Sequence, residues 1–125
     1  MRGVTQRTTG SPYGECVRAS YATLFGMPIA LVPQLDPGSL PPGERQGDRE
    51  RNWLAMLGLQ LIEVPAARAY AAPAETRKGL HLLSGRSPRG YYHRCVGKDG
   101  ALVWDPHPSR AGLVTITSLG FVVPA

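Results

Sequence analysis

The chain predicts an α+β domain in which a central N-terminal helix packs on a mostly antiparallel sheet. Helical signals gather in its first half and short strand signals in its second, the segregated order of helices laid against an antiparallel sheet. At 125 residues and 13.5 kDa there is room for one compact domain, 1–125, with no repeat and no linker to divide it. A composition of 42% hydrophobic and 18% charged residues excludes a disordered or collagen-like chain, despite 15 Gly and 12 Pro.

The first helix is the clearest element. Val17-Arg18-Ala19-Ser20-Tyr21-Ala22-Thr23-Leu24-Phe25 follows Gly14-Glu15-Cys16 and stops at Gly26, with Pro28 beyond it. Its face through Cys16, Ala19, Ser20 and Thr23 is small, which lets a helix approach a sheet closely and makes this one central. Pro28 to Leu35 adds a short helical turn, and Asp36 to Gly47, rich in Pro, Gly and charge, reads as an exposed loop. Asp48 caps a second helix over Arg49 to Leu57, with Trp53, Met56 and Leu57 on one buried face. Gly58 ends it, and Leu59 to Val64 reads as a strand. Pro65 to Gly79 is Ala-rich and ambiguous. Short strands follow at Leu80 to Leu83, Tyr91 to Val96, Ala101 to Trp104, Leu113 to Thr117 and Phe121 to Val123.

No apolar run approaches the roughly 18–20 residues that cross a bilayer. The basic start Met1-Arg2 has no apolar stretch behind it, so neither an anchor nor a signal peptide is expected, and the expectation is a soluble, cytoplasmic protein. Two cysteines in such a setting argue against a disulfide framework. The charge is +5, from 14 Lys and Arg against 9 Asp and Glu. Arg77, Lys78, Arg86, Arg89, Arg94 and Lys98 fall in a window without an acid. Such a window is either a solvated surface or a docking site for nucleic acid or an acidic partner.

Cys16 stands where the first helix begins. Unpaired N–H groups and the positive end of the macrodipole gather there, and such a position lowers a thiol's pKa. A thiolate still needs a general acid/base within reach. The segment Tyr92 to Asp105 supplies one in the form of a hairpin. With a three-residue turn, Lys98-Asp99-Gly100, His93 faces Asp105 on one side of the sheet. With a two-residue turn at Asp99-Gly100, Asp105 moves to the opposite face. Both turns suit the residues.

Gly14-Glu15-Cys16-Val17-Arg18-Ala19-Ser20, Gly26-Met27-Pro28, Val32-Pro33, and the block from His93-x-Cys95-Val96 to Asp105-Pro106-His107-Pro108-Ser109 resemble the small papain-like cysteine hydrolases. The closest resemblance is to the peptidase C39-like branch of bacteria and their phages. It runs from about Gln6 to Leu113, with Asp36 to Gly47 and Pro65 to Arg89 unmatched. It implies a papain-like fold, Cys16 as nucleophile, His93 as general acid/base and Asp105 as its orienting carboxylate. It further implies Gln6, set farther upstream than the usual spacing, as an oxyanion donor beside the Cys16 N–H. The implied substrate is a peptide, isopeptide or other amide or thioester, cleaved or transferred without a cofactor.

Tyr92, Trp104 and His107 flank this set and are candidate substrate contacts. Cys95, on the strand face of His93, is expected to pack under the central helix. A Cys16–Cys95 disulfide is disfavoured in a reducing compartment. A zinc site from Cys16, His93, Cys95 and His107 lacks paired Cys-x-x-Cys spacing, so no metal is expected. His81, in a Leu-rich strand, reads as a structural histidine.

Overall fold

The first helix, α1, spans Cys16–Phe25 in the computed structural model, which describes residues 1–9, 14–36 and 40–125. Gly26 ends it in the left-handed region at φ 65°, and the Met27 N–H closes onto the Ala22 carbonyl at 2.9 Å. A 3-10 turn at Ile29–Leu31 follows. Of the loop expected over 36–47, positions 37–39 lie outside the described residues. Asp36, read as part of an exposed loop, is instead 3% exposed.

Helix α2 covers Gln46–Met56, starting earlier than expected, so Asp48 lies in its first turn rather than capping it. The expected buried face holds for Trp53, which packs on Tyr21 and Phe25, but is corrected for Met56 and Leu57. Glu50 and Leu54, four residues apart, point inward, and Met56 is 85% exposed. The cause is a buried partner for Glu50, described below. Helix α3, Ala66–Ala71, and a 3-10 turn at Ala74–Arg77 resolve the Ala-rich stretch.

Among the described residues five strands form one open antiparallel sheet: β1 (Leu59–Pro65), β2 (Leu80–Arg86), β3 (Tyr92–Lys98), β4 (Ala101–Trp104) and β5 (Thr115–Pro124). Their spatial order is β1-β5-β2-β3-β4. The two strands expected near the end of the chain are one. Gly120, which reads as a break, sits inside β5, where a Cβ would stand 3.1 Å from Leu61 Cδ1. Among the described residues no helix is long and apolar enough to cross a membrane.

Because strand side chains alternate, adjacent Leu82 and Leu83 serve two cores. Leu82 joins Val17, Tyr21, Leu35 and Leu54 under α1 and α2, whereas Leu83 joins Ala69, Cys95 and Leu119 under α3. Cys95 therefore does not pack under the central helix. It shares a face with Leu83, its partner on β2, on the α3 side. Both cysteines are free thiols.

Arg94 on β3 enters the first core. It is 8% exposed, with Nη1 donating to Glu50 at 2.5 Å, Nη2 to Glu63 at 3.4 Å and Nε to Ser84 Oγ at 3.3 Å. The Tyr21 hydroxyl donates to the same Glu50 oxygen, and Gln46 Nε2 to the other at 2.9 Å. Burial opposes the Arg94 charge, but Glu50 outweighs it and the guanidinium is held firmly protonated. The basic window is thus not one surface. Arg94 is inside, and Arg77 is turned onto the Ala69 and Ala72 carbonyls, with its guanidinium over Tyr70. Removing one partner of a buried ion pair strands the other charge, typically at about 3–5 kcal/mol. Glu50→Ala should lower the unfolding free energy by that order in a denaturant titration, and a loss below about 1 kcal/mol would contradict this assignment.

Candidate active site

The β3–β4 hairpin decides whether His93 and Asp105 meet. Its turn is the two-residue one: Lys98 pairs with Ala101, and Asp99 and Gly100 carry φ of 53° and 88°. That register alone would turn Asp105 to the wrong face. The ladder then slips, since Gly97 pairs with Leu102 but Val96 with Trp104, leaving Val103 as an extra residue in β4. A shift of one at the turn and one at the bulge restores the face. His93 Nε2 donates to Asp105 Oδ1 at 2.6 Å, both groups being buried.

The Asp105 carboxylate is held from several sides. The His107 N–H donates to Oδ1 at 2.9 Å and the Gly112 N–H to Oδ2 at 2.7 Å. Burial alone would raise its pKa, but the His93 hydrogen bond and these two amides outweigh burial and hold it at about 2. An ionised carboxylate only accepts, so the proton of this bond belongs to His93 Nε2. In the neutral ring Nδ1 is then the basic nitrogen.

Cys16 reaches the same place around the edge of β3. Strand β4 ends at Trp104 and pairs with β3 only over Val96–Lys98. Beyond that, the Arg94 carbonyl accepts from Ser20 Oγ at 3.2 Å, so the small face of α1 takes over the edge that β4 leaves. Cys16 is half-buried at the start of α1 and lines a pocket of about 260 Å³ together with His93, Gln6, Tyr92 and His107.

The expected low thiol pKa is corrected. Burial first, and then the Asp36 carboxylate, push Cys16 up to about 12, and the nearby Arg94 amide and guanidinium offset this only in part. The anion position at the helix start is already filled. Asp36 accepts from the Val17 N–H at 2.9 Å and the Arg18 N–H at 3.2 Å, and Cys16 Sγ lies 3.8 Å from its Oδ1. Glu15, just before the helix, adds a second carboxylate, paired with Arg7 at 2.8 Å and Arg18 at 3.2 Å. The Cys16 S–H is thus directed at Asp36, with the Arg94 amide on the same sulfur.

Gln6 is 5% exposed and fixed by its own N–H, which donates to the Pro106 carbonyl at 2.9 Å. Its Nε2 donates one hydrogen to the Thr8 carbonyl at 2.8 Å, while Oε1 is buried without a partner. His107 has its Nδ1 turned to the Ser109 N–H at 3.0 Å, with its ring 6.2 Å from that of His93. Tyr92 is 68% exposed at the rim, its hydroxyl 2.6 Å from Thr117 Oγ1. Trp104 does not line this pocket, contrary to expectation. Its Nε1 donates to the Val4 carbonyl at 2.9 Å, and Arg110 lies 4.1 Å over its ring. Asp36, Ser84 and Arg89 also line the pocket, and no local motif marks them.

His93, Cys95 and Asp105 offer ligand atoms within 4.8 Å of one another. Burial and then Asp105 push the Cys95 thiol well above its usual range. The arrangement suits proton transfer better: an oriented imidazole, a thiol, and a pocket open to a substrate. No family model, curated protein or solved structure matches the chain.

Asp105 ties stability to pH with a definite sign. Its folded value of about 2 lies below the unfolded value near 3.8, so the stability it adds is present above that range and lost as pH falls through about 2. The shift corresponds to about 2 kcal/mol. The unfolding free-energy gap between the parent and Asp105→Asn should narrow by that amount between about pH 5 and pH 2, measured by denaturation at each pH. A gap independent of pH would contradict the assignment.

Proposed function

We propose that the protein is a papain-like cysteine hydrolase that works through an acyl-enzyme on Cys16. The observation that carries this reading is the buried His93–Asp105 pair, whose imidazole shares a pocket with a thiol at the start of a helix. The chain order Cys, His, Asp and the central helix on an antiparallel sheet support it further.

In this reading Cys16 Sγ bonds to the substrate carbonyl carbon as its proton passes to His93 Nδ1. Asp105 holds the ring and stabilises the resulting imidazolium. The carbonyl electron pair moves to oxygen, which faces the Cys16 N–H and the second hydrogen of Gln6 Nε2. The tetrahedral intermediate collapses, and His93 returns the proton to the leaving amine or thiol. Water, deprotonated by His93, then attacks the thioester and frees Cys16. An amine in place of water makes the same site an acyltransferase. The substrate is a peptide, isopeptide or other amide or thioester. Tyr92 and His107 contact it, whereas Trp104 braces the N-terminal segment that carries Gln6.

The test is intact-mass spectrometry after incubation with acyl and peptide electrophiles. The parent should gain one acyl group and Cys16→Ala none. His93→Ala should acylate about 10²–10⁴-fold more slowly. Equal labelling of the parent and Cys16→Ala would overturn the proposal.

A further inference from the structure

Asp36 is a buried carboxylate in the pocket, yet the mechanism above gives it no task. Its oxygens take the Val17 and Arg18 amides of the first turn of α1, and one of them receives the Cys16 S–H at 3.8 Å. The segment bearing it is anchored: Arg18 Nε donates to the Val32 carbonyl at 2.6 Å, Arg49 Nη1 to the Gln34 carbonyl at 3.0 Å, and Leu35 is fully buried. A carboxylate so placed opposes a second negative charge beside it.

We infer that Asp36 is a positioning residue for the proposed nucleophile, binding the first turn of α1 and the Cys16 S–H together so that the sulfur rests as a thiol. This deepens the reading of Cys16 as nucleophile and rests on it. The resting enzyme then holds no thiolate–imidazolium pair. His93 takes the proton during attack, and the free site is slow toward electrophiles that lack a carbonyl to polarise.

The charges facing this sulfur come from several elements. Arg94, on β3, is matched by Glu50 of α2, and Glu15 before the helix is matched by Arg7 and Arg18. His93 is paired with Asp105 at 2.6 Å. Arg89 and His107 stand on the pocket wall beyond. The thiol's elevation to about 12, from burial and then Asp36, agrees with this geometry.

The experiment is the pH–rate profile of iodoacetamide alkylation, read at Cys16 by peptide mass spectrometry. The parent should show a rate that rises through pH 9 with no plateau near neutrality. A plateau between about pH 5 and pH 7, the sign of an ion pair, would overturn the inference. Asp36→Asn keeps the shape and removes the charge, so its midpoint should fall by a unit or more. Each unit gains tenfold in thiolate and loses about threefold in nucleophilicity, so alkylation at pH 7 should rise at least about threefold. A variant that folds, by circular dichroism, with the parent's midpoint would also overturn it. Should the hydrolase reading fail instead, both profiles would behave as stated while no acyl-enzyme forms.

Discussion

A strand whose neighbour stops early leaves peptide groups that must find partners elsewhere. That requirement organises this molecule. Where β4 ends at Trp104, the Arg94 carbonyl turns to Ser20, and the edge of β3 passes from a strand to a helix. The replacement brings the start of α1, with Cys16, alongside the start of β3, with His93. Only a helix with a small face can lie that close, which explains the run of Ala19, Ser20 and Thr23. On the same strand Arg94 enters the core under α1 and α2 and ties β3 to α2 through Glu50. One strand segment thus anchors both the fold and the candidate site.

The two carboxylates of the site differ in what surrounds them. Asp105 is met by an imidazole and two amides and lies low, so it orients a ring and stays ionised. Asp36 is met by two helix amides and a thiol, yet burial still raises it. Asp105 holds the His93 ring, whereas Asp36 disfavours negative charge on Cys16. Such a division suits a nucleophile released during reaction rather than one kept ionised at rest.

How much of this the residues reveal on their own depends on the range of the interaction. Helix α1 is legible because its end signals, Gly26 and Pro28, are local, and β4 is legible because the turn beside it is. The inward side of α2 is not, because Glu50 is drawn in by Arg94, 44 positions later. Trp104 misleads for the same reason, since its partner Val4 is 100 positions away. The shared face of His93 and Asp105 does not follow from alternation, because it needs both the two-residue turn and the extra residue at Val103. Asp36 is the hardest case. Nothing near it in sequence distinguishes an acid in a Pro- and Gly-rich loop from one that completes a distant helix.

Val103, the unpaired residue of β4, makes the hairpin behave as an odd-and-even switch. Losing it, or adding a residue beside it, would send Asp105 to the wrong side of the sheet, whereas two such changes together would cancel. Length variation among descendants of this chain should therefore be scarce in single steps between Val96 and Asp105 and more tolerated in compensated pairs. The spacing between the two residues, rather than the identity of what lies between them, is what inheritance has to protect.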